Sequence, residues 1–156
     1  MIRIDIPGGK SFKLRHLVSD VNGTLALDGN LLPGVEEAIS ALRRDLHITL
    51  LTADTFGKGR DLAASLRVEL HILNPGGERE QKAAFVRQLG ADSVVAIGQG
   101  ANDELMLKDS ALGICVLSRE GNALPTLIAA DVLAPDGAAA LQLLLHPTRI
   151  IATLRK

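Results

Sequence analysis

Residues 17–25 read Leu-Val-Ser-Asp-Val-Asn-Gly-Thr-Leu, an apolar run that carries one carboxylate, Asp20, to the point where a strand would stop. Gly23 and Thr24 then turn the backbone around whatever that carboxylate faces. In an open α/β sheet, ligands sit beyond the carboxyl ends of the strands. A fold that uses this run as a central strand therefore puts Asp20 at a binding rim. The same residues also read as an Asn22-Gly23 type I′ hairpin turn between apolar segments, with no chemistry in it. The rest of the chain separates the two readings.

Short apolar runs alternate with helical patterns along the whole length. Ile2, Ile4 and Ile6 alternate with polar residues, Pro7-Gly8-Gly9 turns, and Phe12 and Leu14 alternate again. This predicts a β-hairpin extension over 1–16 that feeds the first core strand. Residues 25–32 hold the turn pair Asp28-Gly29 and predict a second, short hairpin, a flap beside the rim. Pro33 is expected at the first position of a helix, where its missing N–H costs nothing, with Val35, Ala38, Ile39, Leu42 and Leu46 on one apolar face. Further strands are predicted over 47–52, 68–73, 93–97, 112–117 and 131–133. Helices are predicted over 58–66, 78–89, 103–108, 124–130 and 137–145 and after Pro147. Strand alternating with helix means an α/β fold with a mainly parallel sheet covered on both faces. At 156 residues the chain reads as one domain, 1–156.

Three later features favour chemistry at Asp20. Thr52 ends a second apolar run, Lys82 lies near the start of a helix, and Gly98-Gln99-Gly100-Ala101-Asn102-Asp103 follows another run. In order and spacing, these and the Asp20 run resemble the four motifs of the haloacid dehalogenase-like phosphohydrolase superfamily. Within it, Asp-x-x-Gly-Thr and Gly-x-Gly-x-Asn-Asp look most like the phosphorylation domain of P-type ATPases, here free-standing. The resemblance implies a Rossmann-like three-layer sandwich. Only about thirty residues separate Asp20 from Thr52, and Thr52 from Lys82, room for one helix and one strand each. The family's large cap domains, and the nucleotide-binding domain of P-type ATPases, do not fit in such intervals. A capless site open to solvent is expected.

Phosphoryl transfer requires an in-line nucleophile, relief of repulsion between anions, and stabilisation of charge on the equatorial oxygens. The resemblance assigns the nucleophile to Asp20, through an aspartyl phosphate that divides one hard displacement into two. Capping of a local turn is the plainer use of such a carboxylate. Mg²⁺ takes oxygen ligands and needs few from the protein. The resemblance implies Asp20, Asp103 and the backbone carbonyl of Asn22 as ligands, with Gln99, which stands where P-type ATPases carry Asp, acting through a coordinated water. Residues 98–103 also read as a strand-to-helix turn with Asp103 as N-cap. Thr52 matches the hydroxyl that holds a phosphate oxygen, together with the backbone around Val21, Gly23 and Ala53; a lone Thr there also reads as a helix-entry residue. Lys82 matches the lysine that neutralises the phosphate. Lys58 and Arg79 compete for that role, and a solvated helix-face lysine is the ordinary use of such a residue. Asn102 is expected to orient Asp103 or touch the phosphate.

The informative departure is Asn22. Most phosphatases of the superfamily carry a second Asp there to protonate the leaving oxygen and then activate water. Asn has no proton to exchange, and general acid–base help is worth ~10²- to 10⁴-fold, roughly 3 to 5.5 kcal/mol of barrier. Alkyl phosphates should be poor substrates, acyl and aryl phosphates and phosphoanhydrides better ones, and dephosphorylation of Asp20 slow. Two rivals stay open: a regulatory module that binds metal and phosphate without turnover, and a receiver-like phosphoacceptor. The latter needs an acidic pair that Ser19-Asp20 does not supply.

Composition narrows the partners. The net charge is −1, with three Phe and no Trp or Tyr, so nothing draws the chain to nucleic acid and little is present to stack bases. The expected ligand is a phosphorylated small molecule or an acyl phosphate, with a homo-oligomer or partner subunit as one source of a lid. No apolar run approaches the ~18 residues of a membrane span, and the start lacks a signal-peptide core. The lone Cys115 reads as a small buried hydrophobe, and a reducing cytoplasm is expected. His16, His47, His71 and His146 lack zinc-ligand spacing and read as packing residues.

Overall fold

In the computed structural model, which describes residues 1–55 and 57–156, the first alternating segment forms β1 (Ile2–Asp5) and β2 (Ser11–Leu14), an antiparallel pair with Ile4 opposite Phe12. The next run is β3 (His16–Ser19). The predicted flap follows as β4 (Ala26–Leu27) and β5 (Asn30–Leu31). Its Asp28-Gly29 turn has φ of 51° and 78°, the two positive angles a type I′ turn requires.

From there strand and helix alternate: α1 (Val35–Leu42), β6 (His47–Thr52), α2 (Gly59–Leu66), β7 (Glu69–Ile72), α3 (Glu78–Leu89), β8 (Val94–Gly98), α4 (Glu104–Asp109), β9 (Leu112–Val116), α5 (Leu124–Ala129), β10 (Val132–Ala134), α6 (Gly137–Leu145) and α7 (Pro147–Leu154). Six strands pair in parallel in the order β10-β9-β8-β3-β6-β7. β3 is thus central, with β6 and β8 on its flanks.

Period-two alternation sends successive side chains to opposite faces. Leu17, Ile48, Leu50, Val95, Ile97 and Ile114 meet α1, α2, α6, α7 and the β1–β2 hairpin on one face. Val18, Leu51, Val94, Ala96 and Cys115 meet α3 and α4 on the other, with Leu127 of α5 packed alongside. The result is the three-layer α/β sandwich with a parallel sheet, and no cap: β3 and β6 are joined by only the flap and α1, β6 and β7 by only α2. No helix among the described residues is long and apolar enough to cross a membrane.

Two details of the α1 region differ from expectation. Pro33 is not the first helical residue, because Gly34 at φ 84° takes the cap position and helix begins at Val35. Leu46 lies past the helix end, yet it is buried and its N–H donates to Leu42 O at 2.9 Å, so the apolar spacing persists across the turn. His16 and His47 stack on each other and His71 lies against Phe85, but His47 and His71 are exposed, so these are surface contacts and not core packing.

Candidate active site

The residue after β3, Asp20, still donates its N–H to Ile97 O of β8 at 3.0 Å, which aims its carboxylate off the carboxyl end of the two central strands. The backbone then coils tightly, with Val21 O accepting the N–H groups of Thr24, Leu25 and Ala26 at 3.1, 2.9 and 3.0 Å. Thr24 Oγ1 is thereby placed to donate to Asp20 Oδ2 at 3.0 Å. Gly23 has φ 80°, so the backbone favours glycine, and a Cβ on it would meet Gln99 Nε2 at 2.4 Å and Glu120 Oε2 at 2.5 Å and push those two heads aside. The Asn22-Gly23 pair is a step in this coil and not a hairpin turn.

Lys82 lies on α3, on the same helical face as Val86, and is fully buried. Its Nζ donates to Asp20 Oδ1 at 2.7 Å, to Asp103 Oδ1 at 2.6 Å and to Asn102 Oδ1 at 3.3 Å. The rival cations are spent elsewhere. Lys58 lies against Gly29 of the flap, where a Cβ would meet its Cδ at 2.9 Å, and Arg79 pairs with Glu80 and Glu104 on the surface.

The Gly-rich stretch descends from β8 as a 3₁₀ turn over Ala101–Asp103 and then α4. Asp103 is fully buried and does not cap α4 forward; its Oδ2 reaches back to accept the N–H groups of Gln99 and Gly100 at 2.9 and 3.0 Å. A Cβ on Gly98 would lie 2.5 Å from Asp103 Cγ, so the first glycine makes room for that carboxylate. Opposite, Thr52 at the end of β6 accepts Asp54 N–H at 2.9 Å and keeps its own hydroxyl proton to donate.

These residues converge. Asp20, Asn22, Thr52, Ala53, Gln99, Asn102 and Asp103 line one open cleft of about 490 Å³. The wall also holds Thr55 and Glu120, which sequence reasoning missed. Neither lies in a motif, and Glu120, in the 117–123 loop after β9, carries no sequence signal of its own. Beyond Gly23 lies a second hollow of about 580 Å³, walled by Leu27, Leu32, Leu117 and Arg119.

Electrostatics follow the packing. Burial, reinforced by the charge of Asp103, raises the Asp20 carboxyl to about 6, against the opposing pull of Lys82 and Thr24. Burial works against the Lys82 charge, but the two carboxylates outweigh it and hold the pKa above the ordinary lysine value. Among the described residues no three His, Cys, Asp or Glu side chains form a ready metal cage. The donor set nevertheless suits Mg²⁺, which keeps most of its waters: a carboxylate at the cleft floor, a backbone carbonyl beside it, and a glycine cradle over which the heads of Gln99 and Glu120 close. Zinc, with its nitrogen and sulfur ligands, is not matched.

No family model matches the chain. Over 84 residues it is 39% identical to the uncharacterized protein MJ0073 of Methanocaldococcus jannaschii, a match spanning 51% of this chain and 90% of that protein. The fold is similar to that of 3-deoxy-D-manno-octulosonate 8-phosphate phosphatase from Moraxella catarrhalis in complex with magnesium, phosphate and KDO, with a TM-score of 0.72 at 16% identity over 92% of this chain and 94% of that one. The cobalt-bound deoxy-D-mannose-octulosonate 8-phosphate phosphatase of Haemophilus influenzae aligns with a TM-score of 0.68 at 16% identity, covering 92% and 90%. A Streptomyces avermitilis protein described as a HAD family hydrolase gives 0.68 at 18% identity, covering 87% and 93%. At these identities the likeness is one of fold.

Proposed function

Because the chain belongs to the family of the M. jannaschii protein and has the haloacid dehalogenase-like fold without a cap, we propose that it is a Mg²⁺-dependent phosphohydrolase that forms an aspartyl phosphate on Asp20. The observation that carries this reading is the buried Asp20–Lys82–Asp103 bridge, in which Lys82 sits behind two carboxylates that line one cleft. A plain turn-capping aspartate needs no buried lysine.

In this reading a carboxylate oxygen of Asp20 attacks phosphorus, the bond from phosphorus to the leaving oxygen breaks, and that oxygen departs with the electron pair. Lys82, already charged and fixed, balances the phosphoryl oxygens without reorganising, and the Thr52 hydroxyl donates to one of them. Asn102 supports Lys82. Mg²⁺, when bound, supplies charge compensation that relieves repulsion between Asp20 and the phosphate. Asp20 and the Asn22 carbonyl would hold it, with Gln99 supporting it through water. Asp103 was expected as a direct ligand; with its Oδ1 on Lys82 and its Oδ2 on two backbone N–H groups, we assign it the holding of Lys82 and of the Gly-rich turn.

Asn22 has no proton to give, so the substrates are phosphates whose leaving groups need none: acyl and aryl phosphates and phosphoanhydrides. The hollow beyond Gly23 is where such a group would rest. Kinship with P-type ATPase phosphorylation domains and a cytoplasmic setting belong to the same reading, supported by the motif pattern and by a single buried cysteine. A second copy or a partner subunit as the source of a lid belongs to the same reading.

The experiment is covalent trapping. Incubation with acetyl phosphate, or with beryllium fluoride and Mg²⁺, should give a mass adduct in the wild type that Asp20→Ala abolishes. No Asp20-dependent adduct under any divalent metal would overturn the proposal. A second reading, a regulatory module that binds phosphate and metal without turnover, is favoured by Asn22 and Gln99 together. Fast phosphatase activity in Asn22→Asp, beside binding without turnover in the wild type, would select it.

A further inference from the structure

The proposed cation site is short of negative charge. Asp20 and Asp103 each carry one charge, and Lys82, 2.7 and 2.6 Å from them, cancels one of the two. Asn22 and Gln99 contribute none. A divalent cation set against these groups would remain unbalanced before any phosphate arrived. Among the residues lining the cleft one carboxylate is left, and it is Glu120.

Its position is built. The 117–123 loop is braced by Asn122, whose Nδ2 donates to Val116 O at 2.6 Å and whose Oδ1 accepts Ser118 N–H at 3.1 Å. Ser118 Oγ accepts Glu120 N–H at 3.1 Å, and Ala123 N–H reaches Gln99 O at 3.2 Å. The backbone of Glu120 is therefore tied to the turn that carries Gln99. The two side-chain heads meet over the same glycine, each within 2.5 Å of the point a Gly23 Cβ would occupy. Glu120 is exposed to solvent, yet its carboxylate is held over the coil that carries Asp20 and Asn22.

We propose that Glu120 is the second carboxylate of the cation site, supplying from a separate loop the charge that the amide of Gln99 withholds. The proposal rests on the phosphohydrolase reading and adds to it a residue outside all four motifs. Cation affinity at oxygen sites is set by the number of charged ligands and their rigidity. Glu120 then also orders the 117–123 loop against the cleft when the cation is present.

The test is Mn²⁺ binding to the full chain without phosphate, followed by loss of the free aquo-ion signal in electron paramagnetic resonance. Glu120→Gln is expected to weaken binding by about ten-fold or more, Glu120→Asp by less, and Gln99→Asp in the Glu120→Gln background to restore it. Unfolding in EDTA, followed by circular dichroism, should be the same for wild type and Glu120→Gln because the side chain is exposed. Wild-type affinity in Glu120→Gln, with weakened binding in Asp20→Asn, would overturn the assignment of Glu120 and leave the Asp20 site standing. Unchanged binding in both variants, or no binding by the wild type at millimolar Mn²⁺, would overturn the phosphohydrolase reading with it.

Discussion

Lys82 and Asp103 form an ion pair of 2.6 Å in which each side chain is only 1% exposed, and Asp20 completes it at 2.7 Å from the other side. A buried charge is tolerable only while its partners remain, and removing one partner of such a pair costs about 3–5 kcal/mol. Lys82→Met should therefore lower stability by that order in urea unfolding as well as abolish the Asp20 adduct. Adding Asp103→Asn to Lys82→Met removes one orphaned carboxylate and should recover part of the stability but none of the adduct.

Asp20 gives a pH dependence of definite sign. Its folded pKa, about 6, lies above the ordinary 3.8, so between these values the folded state holds more protons than the unfolded state. The contribution of this group to stability is greatest below pH 3.8 and falls as pH rises to about 6. The gap corresponds to no more than about 3 kcal/mol. Without divalent cations, Asp20→Asn should melt higher than the wild type at pH 7.5, and the advantage should shrink on acidification towards pH 4. An advantage that is flat with pH would show that Asp20 does not titrate in that interval.

In the proposed mechanism Asn22 would set the chemistry of the leaving group. Asn22→Asp restores a proton donor at the cleft and should raise turnover of alkyl phosphates by ~10²-fold or more, with a smaller gain on acetyl phosphate. Steady-state rates for the two substrate classes, with Asp20→Asn as the inactive control, measure the ratio. Equal gains on both classes would mean that proton donation does not limit the wild type.

Gly23→Ala tests the cradle. The left-handed backbone costs a side chain roughly 1–2 kcal/mol, and the new methyl would displace the heads of Gln99 and Glu120. A lowered melting temperature together with weaker Mn²⁺ binding is expected; a lowered melting temperature with unchanged Mn²⁺ binding would separate the cradle from the cation.

The parallel sheet and its helices were legible because each strand is a short apolar run and each helix keeps one apolar stripe. The flap was legible because Asp28-Gly29 is a turn signal in itself. Pro33 misled by two residues, since a glycine between it and the helix took over the cap. The four motif positions could be ordered along the chain, but choosing Lys82 over Lys58 and Arg79 required burial; the available signal was that Lys82 shares a helical face with Val86. The inward turn of Asp103 depends on the room left by Gly98 and has no sequence signature of its own. Glu120 was illegible because a glutamate in a polar loop is ordinarily solvated, and only folding sets that loop beside the Gly-rich turn.

The bridge at the cleft floor also bears on how the chain finds its fold. β3 pairs with β6 and β8 at once, and a slip of one residue would turn Asp20 to the opposite side of the sheet. Asp20 would then lose Lys82 and be set against an apolar layer with no counter-charge, a far worse outcome than a mispaired leucine. The same constellation that we read as catalytic thus penalises misassembled sheets and singles out one strand register during folding.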